Sequence, residues 1–100
     1  MKPIKFRWSK VYESQEEELV ELLQARGLAT ERNVAEEFQI FADTPMEQDT
    51  TMWCAEGSAS LHISGTKISF QPGDAIRLLT GTKLSISAGM SGCVWYETLA

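Results

Sequence analysis

The chain has 100 residues, of which 43% are hydrophobic and 23% charged, enough for one globular domain and too apolar for a disordered one. Its net charge of −5 belongs to the first half: residues 1–50 hold eleven acids and six bases, residues 51–100 three of each. No Lys/Arg cluster exists to neutralise phosphates, which argues against nucleic acid as a partner, and no run approaches the ~20 apolar residues of a membrane span.

The basic start, Met1 to Trp8, is not followed by an apolar stretch, so it does not read as a secretion signal, and a cytoplasmic protein is expected. Ile4, Phe6 and Trp8 alternate as in a short edge strand within residues 3–12. Ser14 has the character of a helix N-cap, with Glu17 three residues on completing a capping box. Glu16, Glu17 and Glu18 crowd the first turn, where the helix dipole favours negative charge. Leu19, Val20, Leu22 and Leu23 form an apolar stripe at helical spacing, and Arg26-Gly27 makes a stop. The spacing predicts a helix over about residues 15–26.

Residues 29–37 read equally as a helical turn or the start of a strand. Phe38, Ile40 and Ala42 alternate with Gln39, Phe41 and Asp43 and predict a strand ended by Pro45. Thr51 to Ala55 predicts a strand up to a Glu56-Gly57 turn. Further strands are expected over 58–63, closed by Ser64-Gly65, over 67–70, and over 75–79 after the Pro72-Gly73-Asp74 turn. The last two are expected from about Leu84 to Ala88 and, after a turn at Gly89–Gly92, from Cys93 to Thr98. Short strands with glycine punctuation predict an all-β sandwich or barrel. Residues 1–37 are then an N-terminal strand and helix segment packing on a barrel of residues 38–100, in one structural domain.

The order Glu56-Gly57, Ser64-Gly65, Pro72-Gly73-Asp74 and Gly81-Thr82, preceded by a Glu/Leu-rich helix ending in Arg26-Gly27-Leu28, resembles the small single-domain bacterial cupins. The resemblance covers nearly the whole chain and implies a jelly-roll β-barrel, with a homodimer as the customary assembly. It also implies a metal held by a His-x-His-x(3,4)-Glu/His motif before the Glu-Gly turn and a further histidine after Pro-Gly-Asp. Those positions fall on Thr44, Met46, Thr50 (or Asp49 with one residue of slip) and Leu84. Thr and Leu are not metal ligands, and a Met thioether suits only soft metals. No metal and no cofactor are therefore expected.

Other chemistry is sparse. His62, the single histidine, is expected on an outward sheet face if Leu61 and Ile63 face the core. Asp43, Glu47, Asp49 and Glu56 read as loop charges rather than paired catalytic acids. Cys54 and Cys93 lack C-x-x-C spacing and read as reduced core thiols, with a disulfide the lesser alternative.

If strand polarity follows the family, the barrel interior is lined by Ile40, Ala42, Thr44, Met46, Thr50, Met52, Cys54, Leu84 and Ile86. Such a lining suits a small apolar or weakly polar ligand, or a filled core. Trp53, Trp95 and Tyr96, where they face outward, would make an apolar interface patch. The expected protein is a metal-free, homodimeric binding or interaction module. The alternatives are a filled barrel acting through its surface, and a metal-independent cupin enzyme such as a sugar isomerase or epimerase.

Overall fold

A computed structural model describes residues 3–11, 13 and 15–99. Its elements run β1 (Ile4–Arg7), α1 (Glu16–Ala25), β2 (Thr30–Ala35), β3 (Ile40–Pro45), β4 (Thr50–Ile63), β5 (Thr66–Phe70), β6 (Asp74–Leu78) and β7 (Lys83–Leu99). Every strand pairing is antiparallel. No helix is long and apolar enough to cross a membrane among the described residues.

A single long ribbon organises the rest. β4 and β7 pair from Thr50 opposite Leu99 to Ile63 opposite Leu84. The first half of β4 carries β6 and then β1 on its free side, and its second half carries β5. The first half of β7 carries β3, and its last part carries β2. Two sheets, β1-β6-β4-β7-β2 and β5-β4-β7-β3, thus share the two long strands. Their inner faces meet in one core that includes Met52, Cys54, Ile76, Cys93 and Trp95 from the first and Leu61, Ile63, Phe70, Leu84 and Ile86 from the second.

The ribbon bends where its register slips, between Cys54 and Glu56 and between Gly57 and Ala59. Gly57 takes a φ of 72° and Gly92, across the ribbon, one of 71°. A bulge with a left-handed glycine kinks a strand without ending it. Glu56-Gly57 and Gly89–Gly92, expected as turns between separate strands, are therefore bends inside continuous ones. The punctuation is the same in both cases, since a turn and a bulge ask for the same backbone freedom. Pro45 ends β3 as expected, standing as its last residue opposite Lys83. β3 pairs only with β7, so it is an edge strand, where a missing N–H is tolerated. Residues 30–35 resolve as strand β2, and the chain then turns through Phe38, which has a φ of 57°.

The helix lies over the outer face of the first sheet. Leu19 and Leu23 are fully buried there against Trp53, Ala55, Ala75 and Tyr96, with Val20 and Leu22 half-buried beside them. Each buried leucine contributes roughly 1.5–3 kcal/mol. Covering this face buries both sides of residues 50–55, which explains a nearly unbroken apolar run in place of alternation. It also corrects the expected exposed aromatic patch. Trp53 and Tyr96 lie beneath α1, Trp95 points into the barrel, and all three are buried. Ser14, the expected N-cap, lies outside the described residues; Gln15 takes the N-cap position without a side-chain cap. The expected stop forms a Schellman closure, in which Gly27 N–H donates to Gln24 O and Leu28 N–H to Leu23 O.

β1 is held by charge. Asp74, at the start of β6 and buried, accepts from Arg7 Nη1 at 2.7 Å and from Gln71 N–H at 2.9 Å. Lys5 Nζ stands 3.5 Å from its other oxygen. The aspartate of the Pro-Gly-Asp turn is thus committed to structure.

Candidate ligand cavity

The barrel interior divides into a filled half and an open one. On the β4 and β6 side Met52, Cys54, Leu61 and Leu78 are completely buried. On the other side a cavity of about 280 Å³ lies between the inner faces of β2, β3 and β7. Leu84, Ile86, Met46 and Thr44 form one wall. Phe41 and Trp95 face each other edge-on, with ring centroids 6.0 Å apart, across the same space. The polar groups are Thr44 on one side and Asn33 and Glu97 on another.

Local sequence sets this arrangement. In β7 the period-two face Cys93, Trp95 and Glu97 continues inward past the Gly92 bend, ending on a half-buried carboxylate. The Trp95 indole N–H donates to Glu97 Oε2 at 2.9 Å, which fixes both side chains and leaves Glu97 Oε1 with no protein donor among the described residues. In β3 the register slips between Phe41, opposite Ile86, and Thr44, opposite Leu84, so both face the interior.

That bulge accounts for the main difference from the expected lining. Counting back from Thr44 by twos puts Ile40 inside, but Ile40 pairs with Ser87 and is 71% exposed. Of the expected positions, Thr44, Met46, Leu84 and Ile86 line the cavity, as does Ala42. Met52 and Cys54 face inward but are packed into the filled half, without access to the cavity. Thr50 is buried at the strand end, where its hydroxyl donates to Gln48 O and it lines a neighbouring groove with Glu31 and Glu97. Asn33, Phe41, Trp95 and Glu97 were not among the expected lining. The alternation of Cys93, Trp95 and Glu97 was available in the sequence; the inward turn of Phe41 depends on a bulge that no residue type announces.

The other candidates fall elsewhere. His62 is exposed between the buried Leu61 and Ile63, opposite Lys67 and Ser85. Asp49 Oδ1 accepts from the backbone N–H and hydroxyl of Thr80, both at 2.9 Å, bonds that hold its carboxyl below the usual range. Neither it nor Asp43, Glu47 or Glu56 lines the cavity.

A metal implied by the fold finds no fitting ligand set. Three of the four positions, Thr44, Met46 and Leu84, do converge on one cavity, but a hydroxyl, a thioether and an alkyl group do not hold a hard or borderline cation. Among the described residues no group of three or more His, Cys, Asp or Glu side chains could hold a metal.

The architecture matches solved structures over its full length. A DUF861 family protein from Thermotoga maritima aligns with a TM-score of 0.67 at 14% identity, covering 99% of this chain and 100% of that one. A cupin superfamily protein from Desulfitobacterium hafniense aligns at 0.64 and 11% identity, covering 98% and 77%. The EutQ protein of Clostridium difficile aligns at 0.61 and 18% identity, covering 97% and 67%. At these identities the likeness concerns the fold: the chain is a small cupin-fold barrel with one N-terminal helix. No family model matches it, and no curated protein does.

Proposed function

We propose that this cupin-fold chain is a metal-independent, homodimeric cytoplasmic protein that binds a small, weakly polar organic molecule in the cavity between β2, β3 and β7. The observation that carries the reading is chemical. Thr44, Met46 and Leu84, the positions that the resemblance to cupins implies for metal ligands, line the cavity, and its other walls are Phe41, Trp95 and Ile86 with a few polar groups. Apolar walls with a small number of placed polar groups are the usual make-up of a small-molecule site. At about 280 Å³ the cavity sits at the small end of such sites. An enzyme would need a general base or nucleophile facing the ligand. Among the described residues the only titratable group lining the cavity is Glu97, and it already accepts a hydrogen bond from Trp95.

The dimer is supported by exposed apolar side chains on one side of the barrel. Phe38 is 64%, Ile40 71% and Met90 75% exposed, and the Phe38 N–H bonds to Gly89 O, next to Met90. A second copy covering them would bury an edge that is otherwise open.

Native mass spectrometry of untagged protein purified without chelator tests the reading. A dimer mass without metal, alone or with a co-purified organic molecule, is the expected result. A stoichiometric metal adduct would overturn metal independence and return an enzyme to consideration.

A further inference from the structure

We propose that the ligand of this cavity is a compact organic cation, with an apolar body about the size of one ring and a primary ammonium group directed at Glu97. The inference rests on the binding reading above and names the chemical class it selects.

Three observations converge on it. First, the cavity is chemically polarised. Leu84, Ile86, Met46 and the two aromatic rings make the body of the site, while Glu97 stands at one side with Oε2 held by the Trp95 indole N–H and Oε1 available. A carboxylate accepts only, so its complement is a donor, and a charged donor gives the stronger bond. Second, Glu97 stands directly opposite Glu31 in the β2–β7 register. Side chains at directly opposed positions share a face of the sheet, and like charges there repel. Glu31 and Glu97 line one groove, which adjoins the cavity at Glu97. An ammonium group beside Glu97 relieves that repulsion, whereas an anion adds to it. Third, no Lys or Arg lines the cavity or the groove among the described residues, and the chain carries a net charge of −5. An anionic ligand would find no partner for its charge, while the aromatic walls favour a cation.

Three probes of one shape separate the alternatives: 2-phenylethylamine, ethylbenzene and phenylacetate, titrated by calorimetry. The indole N–H resonance of Trp95, identified by its loss in Trp95→Phe, reports location. The amine is expected to bind about tenfold more tightly than ethylbenzene or better, the worth of one charge-assisted hydrogen bond, and to shift the Trp95 resonance. Phenylacetate is expected to bind weakest. Glu97→Gln should remove most of the amine's advantage while leaving ethylbenzene unchanged. Glu31→Gln, an exposed position that leaves the core intact, should remove a smaller part. Equal binding of all three probes, or an amine affinity indifferent to Glu97→Gln, overturns the cationic assignment and leaves the cavity reading standing. Failure of every probe to bind or to move the Trp95 resonance overturns both.

Discussion

The thiols of Cys54 and Cys93 meet 3.8 Å apart inside the barrel, although 39 residues separate them in the chain. Both cysteines are free and buried. Their meeting follows from the bend in the β4–β7 ribbon, for Cys93 pairs with Gly57 at the same irregularity that separates Gly57 from Cys54. The hydrogen bond with Cys93, followed by burial, pushes the Cys54 thiol well above its ordinary pKa.

Stability should therefore fall on the alkaline side. Below the ordinary thiol pKa of about 8.5, folded and unfolded chains both keep Cys54 protonated, and its contribution is fully present. Above that value the unfolded chain loses the proton and the folded chain retains it, so unfolding is favoured by up to ~1.4 kcal/mol per pH unit from this group. Tyr96 acts in the same direction at higher pH, because burial and then its hydrogen bond to Glu16 raise its phenol. Urea unfolding between pH 7 and 10 should show the midpoint declining from about pH 8.5. Cys54→Ala should flatten the decline; an equally steep slope in that variant would remove Cys54 as its source.

The bend itself makes a second prediction. A Cβ on Gly57 would run into the backbone carbonyl of Gly92, whereas one on Gly65 would meet nothing within 4 Å. Both glycines have positive φ, 72° and 79°, so alanine at either carries the left-handed penalty of roughly 1–2 kcal/mol. Only Gly57→Ala adds a clash with main chain that other strands hold in place. Gly65→Ala should lose about 1–2 kcal/mol in denaturant titration and keep its fold. Gly57→Ala should lose at least ~3 kcal/mol or fail to fold. Equal losses would mean that the bend can open at little cost, and that Gly57 serves only its own φ.

These two glycines also mark how far the sequence could be read. Gly65 punctuates a true hairpin between β4 and β5, and reading it as a turn gave the strand ends to within one residue. Gly57 carries the same signal, but the strand continues through it, because the neighbouring β7 bends at the same level and keeps the ladder paired. Helix α1 was legible from Leu19 and Leu23, whose spacing has one meaning on a helix and which the structure buries. The cavity was less so. Leu84 and Ile86 follow simple alternation and line it, but Ile40 fails because a bulge intervenes two residues later, where the sequence reads only Ala42-Asp43. Trp95 and Glu97 were missed for a different reason. Their strand has both faces buried near its end, Trp95 against the core and Tyr96 beneath the helix, and hydrophobicity alone could not say which face was inner.

The cavity gives a test of the metal-site correspondence that the resemblance to cupins implies. Thr44 lies directly opposite Leu84 across β3 and β7, and Met46 lines the same space. Three imidazoles at these positions would converge from one side, with Glu97 across the cavity as a carboxylate. Three nitrogen ligands with an open fourth position suffice for zinc. The triple variant Thr44→His, Met46→His, Leu84→His should therefore acquire a zinc site. Free Zn²⁺ at 100 times the dissociation constant should raise its unfolding free energy by about 2.7 kcal/mol, and Co²⁺ should give the visible absorption of a tetrahedral complex. The native protein should show neither effect. A variant that folds, as judged by circular dichroism, yet binds neither ion would show that the three side chains do not reach a common point, and the metal-site correspondence would have to be abandoned.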